Sequence, residues 1–168
     1  MNRQMTIRLR KLEQADAAAL LAFELRNRDW FEQFVEARDA DFYTAVGIGA
    51  HIQSCLADHK RRVMHPCVVL DANEELIGRA NLRSINTLTK TGDLGYRIGR
   101  EHSGRGVATQ AVEQLKNLAR KQCAYSTETG HPNRRKPVTQ SSANWTRIPR
   151  QTGHLGRDDA GSRLRFYS

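Results

Sequence analysis

The first apolar pattern along the chain is an alternation in the segment TIRLRKL, where Ile7 and Leu9 alternate with Arg8 and Arg10. A period of two places successive side chains on opposite faces of an extended chain. The segment therefore predicts a half-buried β-strand near the start of the chain.

Two helical segments follow this strand. QADAAALLAFELRNR is rich in Ala and Leu, with Asp16 in its first turn and arginines at its end, a charge order that suits the helix dipole. In the second segment, DADFYTAVGIGAHIQSCLADHKRR, we predict one apolar face from Val46, Ile52 and Leu56. The glycines of that segment disfavour a helix, but the apolar spacing still predicts one.

The middle of the chain changes to strand patterns separated by short turns. HPCVVLD is apolar and β-branched, ANEE predicts a turn, and LIGRANLRSI and TGDLGYRIG predict two more strands. Turns this short join antiparallel neighbours. A glycine-rich turn then leads into a helix that runs to about Arg120, with a predicted buried face of Val107, Ala108, Ala111, Val112, Leu115 and Leu118. These elements predict an α/β (α+β) domain over residues 1–122.

Beyond Gln122 the apolar pattern stops. The last 46 residues contain three of the four prolines, and eight Lys or Arg against three Asp or Glu, so that +5 of the net charge of +9 lies here. Such a segment buries too little apolar surface to offset the entropy of ordering it. The segment RLRFY alternates but is too short to predict a strand. We expect residues 123–168 to be a basic, disordered tail.

Composition narrows the class of protein. No run approaches the roughly 18 apolar residues of a membrane span, and the N-terminal MNRQMTIRLRKL lacks the apolar core of a secretory signal. We therefore expect a cytoplasmic protein with no membrane partner. Cys55, Cys67 and Cys123 form no C-x-x-C pair and the six histidines are scattered, which predicts neither a disulfide framework nor a metal site.

The glycine turn HSGRGVATQAV is a candidate phosphate site, because the first amides of a helix are free and its N-terminus is electropositive. Gly104 and Gly106 allow close approach of a ligand to the backbone, and Arg105 adds charge unless it is merely solvated. A Walker loop is excluded, since Lys-Ser/Thr is missing. A dinucleotide fingerprint fits weakly, since Thr109 stands at its third position and the turn follows an antiparallel meander. The alternative to a phosphate site is that the helix has these small residues only because they allow close packing.

The stretch LGYRIGREHSGRGVATQAVEQL resembles the acetyl-coenzyme A signature of the GNAT superfamily of N-acetyltransferases, in which a strand and a loop lead to [QR]-x-x-G-x-[GA] at the start of a helix. Ser103 stands where Gln or Arg is usual, Gly106 at the glycine and Ala108 at the small residue. The segments IRLR, NRDWFEQF and LIGRANL occur in the order of the branch that includes ribosomal-protein N-terminal acetyltransferases. The resemblance covers about residues 5–120.

The resemblance implies a GNAT-like mixed, mostly antiparallel sheet flanked by helices, and acetyl transfer from acetyl-coenzyme A to a primary amine, without a metal. The acceptor would be the N-terminal amine of a ribosomal or other protein, or a small molecule. Asp93 is the implied general base, with a simple turn aspartate as the equal alternative, and Asn27 and Arg28 are the implied acceptor contacts. The implied coenzyme contacts are Ile98, Gly99, Ser103, Gly104, Arg105, Gly106, Val107, Ala108 and Thr109.

The family normally continues with a strand, a helix and a strand pair after the coenzyme helix, and residues 123–168 show no such pattern. We hypothesise a reading-frame change near residues 120–123, and expect the C-terminal strands to be missing and the activity of the chain as written to be impaired. Translation of the nucleotide sequence in the other two frames tests this hypothesis.

A different class of function is the alternative. The segment HPNRRKP and the arginines after it would let a non-catalytic protein bind nucleic acid, because basic tails bind polyanions through counterion release. No helix-turn-helix or aromatic stacking motif accompanies this segment. The sequence leaves the acceptor amine and the oligomeric state open.

Overall fold

The computed structural model describes residues 5–125 and 162–165. Its elements in chain order are β1 (Arg8–Lys11), α1 (Ala17–Arg26), α2 (Arg28–Glu32), α3 (Ala45–Lys60), β2 (His65–Leu70), β3 (Leu76–Asn86), β4 (Thr91–Ile98), α4 (Val107–Tyr125) and β5 (Ser162–Arg165). Short 3-10 turns lie at Gln14–Asp16, Ala40–Tyr43 and Arg100–His102. No helix within residues 5–125 is both long and apolar enough to cross a bilayer.

The strands form one sheet in the order β1-β2-β3-β4-β5, and every neighbouring pair is antiparallel. The predicted fold class, a sheet flanked by helices, is confirmed. The short strand β5 pairs with the first half of β4, from Thr91 to Leu94. The segment RLRFY, too short in the sequence to predict a strand, contributes residues 163–165 to β5. The rest of the predicted tail, with its basic nucleic-acid segment, lies outside the described residues.

Two apolar cores lie on the two faces of the sheet. Helix α4 covers one face with the residues of its predicted stripe, Val107, Ala111, Val112 and Leu115 buried and Ala108 and Leu118 partly buried. Helices α1, α2 and α3 cover the other face. Strand β2 supplies Cys67 and Val69 to the first core and Val68 and Leu70 to the second. Because both of its faces are buried, β2 reads in the sequence as a continuous apolar run.

The predicted face of α3 is wrong at one residue. Val46 is 82% exposed, and the buried residues of the helix are Ile48, Ile52 and Cys55. These three recur at spacings of four and three residues, which keeps them on one side of a helix, whereas positions 46 and 52 are six apart and lie on different sides.

Helix α4 is tied to the start of the chain by two glutamines. The side-chain amide of Gln110 donates to the Met5 carbonyl at 2.8 Å. Gln114 donates to the Ile7 carbonyl at 3.0 Å, and its oxygen accepts from the Leu9 amide at 3.0 Å. Gln114 thereby makes, along β1, the donor and acceptor contacts that a neighbouring strand would make.

Candidate functional site

The glycine turn lies between the end of β4 and the start of α4. Gly104 has φ +73° and Gly106 has φ +75°, and a Cβ added at either position would meet no other atom within 4 Å. The left-handed backbone, not crowding by the protein, is therefore what favours glycine here. The space in front of the turn is open to a ligand.

The amides of this turn are available. In the described part of the chain, no protein group accepts a hydrogen bond from the N–H groups of Gly104 through Thr109. The first bond of the helical pattern runs from the Gln110 amide to the Gly106 carbonyl at 3.1 Å. Six consecutive amides without acceptors at an electropositive helix N-terminus are donors that an anion such as a phosphate group can bind.

The other residues of the predicted coenzyme site surround these amides. Arg105 and Thr109 are exposed, Ser103 and Ala108 are half-buried, and Val107 is buried under the turn. The exposed guanidinium of Arg105 can reach a bound anion, while Val107 fixes the first turn of α4 to the core.

The end of β4 offers two more amides. The Gly99 amide donates to the carbonyl of Ile77 in β3 at 2.9 Å. Because successive amides of a strand point to opposite edges, those of Tyr96 and Ile98 point away from β3. On that edge β5 pairs only as far as Leu94. Among the described residues, the amides of Tyr96 and Ile98 therefore have no strand partner.

Asp93 lies on the opposite face of β4 from α4. Leu94 and Ile98 are buried under α4, and Tyr96 packs against the same core. Asp93 and Arg97 consequently point to the side of α1, α2 and α3. Asp93 is half-buried and lies opposite Arg83 of β3 and Arg163 of β5 in the register.

The two predicted acceptor contacts lie at the junction of α1 and α2. Asn27 is buried, and its side chain donates to the Phe23 carbonyl at 2.9 Å and accepts from the Arg100 amide at 2.9 Å. It therefore links the α1–α2 junction to the loop after β4. Arg28 is partly exposed, donates to Glu32 at 2.8 Å, and lies over the Tyr43 ring at 4.5 Å. Their contact with an acceptor stays a prediction.

On the face of the sheet that carries Asp93, the structure brings together charged residues that no sequence motif indicates. Glu24 of α1 is fully buried, with Arg79 of β3 at 3.3 Å and Arg97 of β4 at 3.6 Å from its carboxylate oxygens. The Arg79 guanidinium also lies 2.9 Å from the His51 ring of α3. Arg38, half-buried in the loop after α2, completes what we call the arginine cluster: Glu24, Arg38, His51, Arg79 and Arg97.

The electrostatics of the arginine cluster are dominated by burial and by excess positive charge. Burial, and then the neighbouring Arg97, lower the pKa of Arg38. Burial, followed by the charges of Arg79 and Arg38, lowers the pKa of His51 to about 3. The histidine is therefore neutral at physiological pH and can accept a hydrogen bond from Arg79.

The sequence signal for this cluster is weak. Arg79 lies in the strand segment LIGRANLR, where alternation places it on the same face as Asn81 and Arg83 and so predicts a polar face, whereas the structure buries it. A buried arginine requires a buried partner. The sequence could not identify Glu24 as that partner, because Glu24 lies 55 residues away along the chain and only the folded structure brings the two together.

In residues 5–125, no group of three or more His, Cys, Asp or Glu side chains is arranged to hold a metal ion. The groups described at the candidate site are backbone amides, a carboxylate and arginines. Such a set can bind phosphate, polarise a carbonyl group and accept a proton.

Comparison with known proteins finds a matching family and a curated relative. Residues 6–144 match the family described as acetyltransferase (GNAT) domain. A probable N-acetyltransferase of Bacillus subtilis, YjcK, is 33% identical over 116 residues, which is 68% of this chain and 64% of the relative.

Solved structures share the fold. The ribosomal-protein-S5-alanine acetyltransferase of Vibrio fischeri superposes with a TM-score of 0.64 at 24% identity, over 69% of this chain and 64% of its own. The spermidine N-acetyltransferase of Vibrio cholerae, solved with coenzyme A and spermine, has a TM-score of 0.55 at 22% identity, over 68% and 64%. The chain thus spans less than two thirds of the length of these relatives.

Proposed function

The chain belongs to the GNAT acetyltransferase family, and on this premise we propose that it transfers an acetyl group from acetyl-coenzyme A to a primary amine. The observation that carries the proposal is the row of amides from Gly104 to Thr109, none of which is bound by another group among the described residues. A helix N-terminus with this many free donors fits a diphosphate better than it fits a packing contact.

In this proposal the coenzyme binds along the turn and the end of β4. The amides of Gly104 through Thr109 bind the diphosphate, and the exposed Arg105 contributes charge at the phosphate end. The amides of Tyr96 and Ile98, which point away from β3, are the donors for the pantetheine and the thioester. Ser103 and Gly99 line the path between the two groups of donors.

The chemistry proposed for this site is direct attack by the amine on the thioester. Asp93 accepts the proton of the ammonium group, so that the nitrogen lone pair can form a bond to the thioester carbon. The amides of β4 stabilise the negative charge that develops on the carbonyl oxygen. The tetrahedral intermediate then collapses, the carbon–sulfur bond breaks, and the sulfur leaves as the thiol of coenzyme A after taking up a proton.

The finer assignment of the acceptor is also a proposal. The N-terminal amine of a ribosomal or other protein is supported by the resemblance of the sequence to that branch and by the fold shared with an enzyme named for alanine acetylation on ribosomal protein S5. Small amines are alternative acceptors, because a spermidine N-acetyltransferase has the same fold. Acetylation of an amine panel, read by thiol release, tests the assignment.

Calorimetric titration of the full chain with acetyl-coenzyme A tests the coenzyme site. We expect saturable binding that is weakened at least tenfold by Gly106→Val, because a β-branched residue is strained at φ +75° and its side chain enters the open space before the turn. Gly49→Ala in α3, where an added Cβ makes only an ordinary contact, is the matched control and should bind as the parent does.

Equal affinity of the Gly106→Val variant and the parent chain would refute the proposal that the amides of the glycine turn bind the diphosphate. The same titration also tests the predicted impairment of the chain as written, since micromolar affinity for the parent would contradict that prediction.

A further inference from the structure

The arginine cluster carries more positive charge than its own residues neutralise. Glu24 supplies one negative charge against the three positive charges of Arg38, Arg79 and Arg97, and His51 is neutral. Arg79 and Arg97 are directly opposite in the register of β3 and β4, where like charges destabilise a sheet. The cluster therefore has an excess of two positive charges at a partly buried position.

Some polar atoms of the cluster also lack hydrogen-bond partners. In the described part of the chain, the Nε atoms of Arg79 and Arg38 are buried without an acceptor, and Oε2 of Glu24 is buried without a donor. The Arg79 side chain is only 5% exposed. Buried polar atoms without partners cost free energy, and the single carboxylate of Glu24 neither satisfies these donors nor balances the charge of the three arginines.

The outer members of the cluster can be reached from solvent. The Arg97 side chain is 15% exposed and lies over the Phe31 ring, whereas Glu24 is fully enclosed beneath it. Arg38 is half-buried, and its guanidinium lies 4.3 Å from the centre of the Phe42 ring. Aromatic faces hold both guanidinium groups by cation–π attraction.

The cluster lies beside the proposed catalytic face of β4. Arg97 and Asp93 share that face and are four residues apart, which is about 13 Å along a strand. A molecule whose amine reaches Asp93 can therefore present a second group toward Arg97. This second group would meet the cluster on the side of the sheet away from α4.

We propose that the amine acceptor of this chain carries a carboxylate group, and that Arg38 and Arg97 bind it. The proposal rests on the proposed function and specifies the substrate class of the same site. A guanidinium matches the two oxygens of a carboxylate, and one carboxylate removes half of the excess charge. A polyamine such as spermidine adds positive charge beside the cluster and is a disfavoured acceptor.

Matched pairs of acceptors test the proposal. The dipeptide amides Ala-Glu-NH2 and Ala-Gln-NH2 differ only in a side-chain carboxylate, and alanine and alaninamide differ only in the α-carboxylate. Thiol release with each acceptor gives kcat and KM, and calorimetry on the full chain with coenzyme A gives binding. We expect the carboxylate member of at least one pair to have a KM at least tenfold lower, and the pair that shows the preference identifies which carboxylate is bound.

A variant that removes one of the repelling charges separates recognition from folding. Arg38→Gln should reduce the preference for the carboxylate acceptor at least tenfold without lowering the thermal midpoint. Arg26→Gln, at an exposed arginine at the end of α1, is the control and should keep the preference.

The proposal is overturned if the carboxylate and amide members are used equally, if spermidine is the better acceptor, or if Arg38→Gln leaves the preference unchanged. If no acceptor releases thiol, the proposed acetyl transfer is refuted, but the recognition of a carboxylate is not. The calorimetric comparison of Ala-Glu-NH2 with Ala-Gln-NH2 still decides the recognition of the carboxylate in that case.

Discussion

Glu24 is the residue on which the inner part of the arginine cluster depends. Within the part of the chain that the structure describes, its carboxylate is the one negative group that pairs with both Arg79 and Arg97, and neither arginine side chain has much contact with water. A buried ion pair contributes little net stability while it is intact, but removing one partner leaves uncompensated charge in a medium of low dielectric. The cluster therefore depends on this carboxylate more than on any of its arginines.

Replacing that carboxylate by the isosteric amide measures this dependence. Glu24→Gln should lower the free energy of unfolding by roughly 3–5 kcal/mol, because two buried arginines lose their counter-charge. Urea unfolding gives the value. Glu74→Gln, which removes an exposed ion pair with Arg8, is the control and should change the free energy by less than about 1 kcal/mol. Similar small losses in both variants would contradict this account.

At the scale of elements, the contact between helix α3 and the 3-10 turn before it sets where the helix begins. Thr44 is the N-cap residue, and its hydroxyl accepts from the Gly47 amide at 3.0 Å and donates to the Asp41 carbonyl at 2.7 Å. A Cβ at position 47 would lie 2.0 Å from the Asp41 carbonyl oxygen. The turn approaches the helix this closely only because residue 47 is glycine.

The two glycines of α3 should respond in opposite ways to alanine. Gly47→Ala should destabilise the protein by about 1–3 kcal/mol, because the backbone of the turn must move. Gly49→Ala should stabilise it by about 0.5–1 kcal/mol, because the nearest side-chain atom is 3.8 Å from the added Cβ and alanine favours a helix. Thermal and urea unfolding of the two variants check the signs, and the same sign for both would contradict the contact.

The elements also show which signals the sequence carries. Helix α4 could be predicted because its apolar residues follow the helical period, and strand β2 because its short apolar, β-branched run is followed by turn residues. The glycine turn could be predicted because positive φ selects glycine. The exposure of Val46 and the partners of Arg79 could not, since they depend on which surfaces meet after folding. Asn27 could be selected as a polar residue of interest, but its contact with Arg100, 73 residues away, is a property of the folded chain.

At the scale of the whole molecule, the three layers place two different chemistries on the two sides of β4. The glycine turn begins the helix that covers one face, and the arginine cluster lies under the helices that cover the other. In the proposed function, the acyl donor and the acceptor therefore approach the same strand from separate sides. Asn27 joins the layers by binding the loop after β4.

Stability of the whole fold should fall on mild acidification. Burial is the main cause that lowers the pKa of His51 to about 3 and that of His65 to about 4. Since unfolded histidine has a pKa of about 6.5, the unfolded chain binds more protons than the folded chain between pH 6.5 and 4. The free energy of unfolding should fall through that window by on the order of 1 kcal/mol per pH unit for each histidine.

Urea unfolding at several pH values measures this slope. His51→Gln and His65→Gln should each make it shallower, because each removes one group whose pKa is lowered by burial. A slope unchanged by both buried replacements would assign the acid sensitivity to other groups.

The glutamine contacts between α4 and β1 have a consequence for how the molecule meets other chains. The outer edge of β1 is the kind of border to which foreign strands add during fibre growth, yet the Leu9 amide and the Ile7 carbonyl are already bonded to Gln114. An incoming strand must first displace that side chain from both groups. Helix α4, which begins at the glycine turn, therefore also protects this edge of the sheet against self-association.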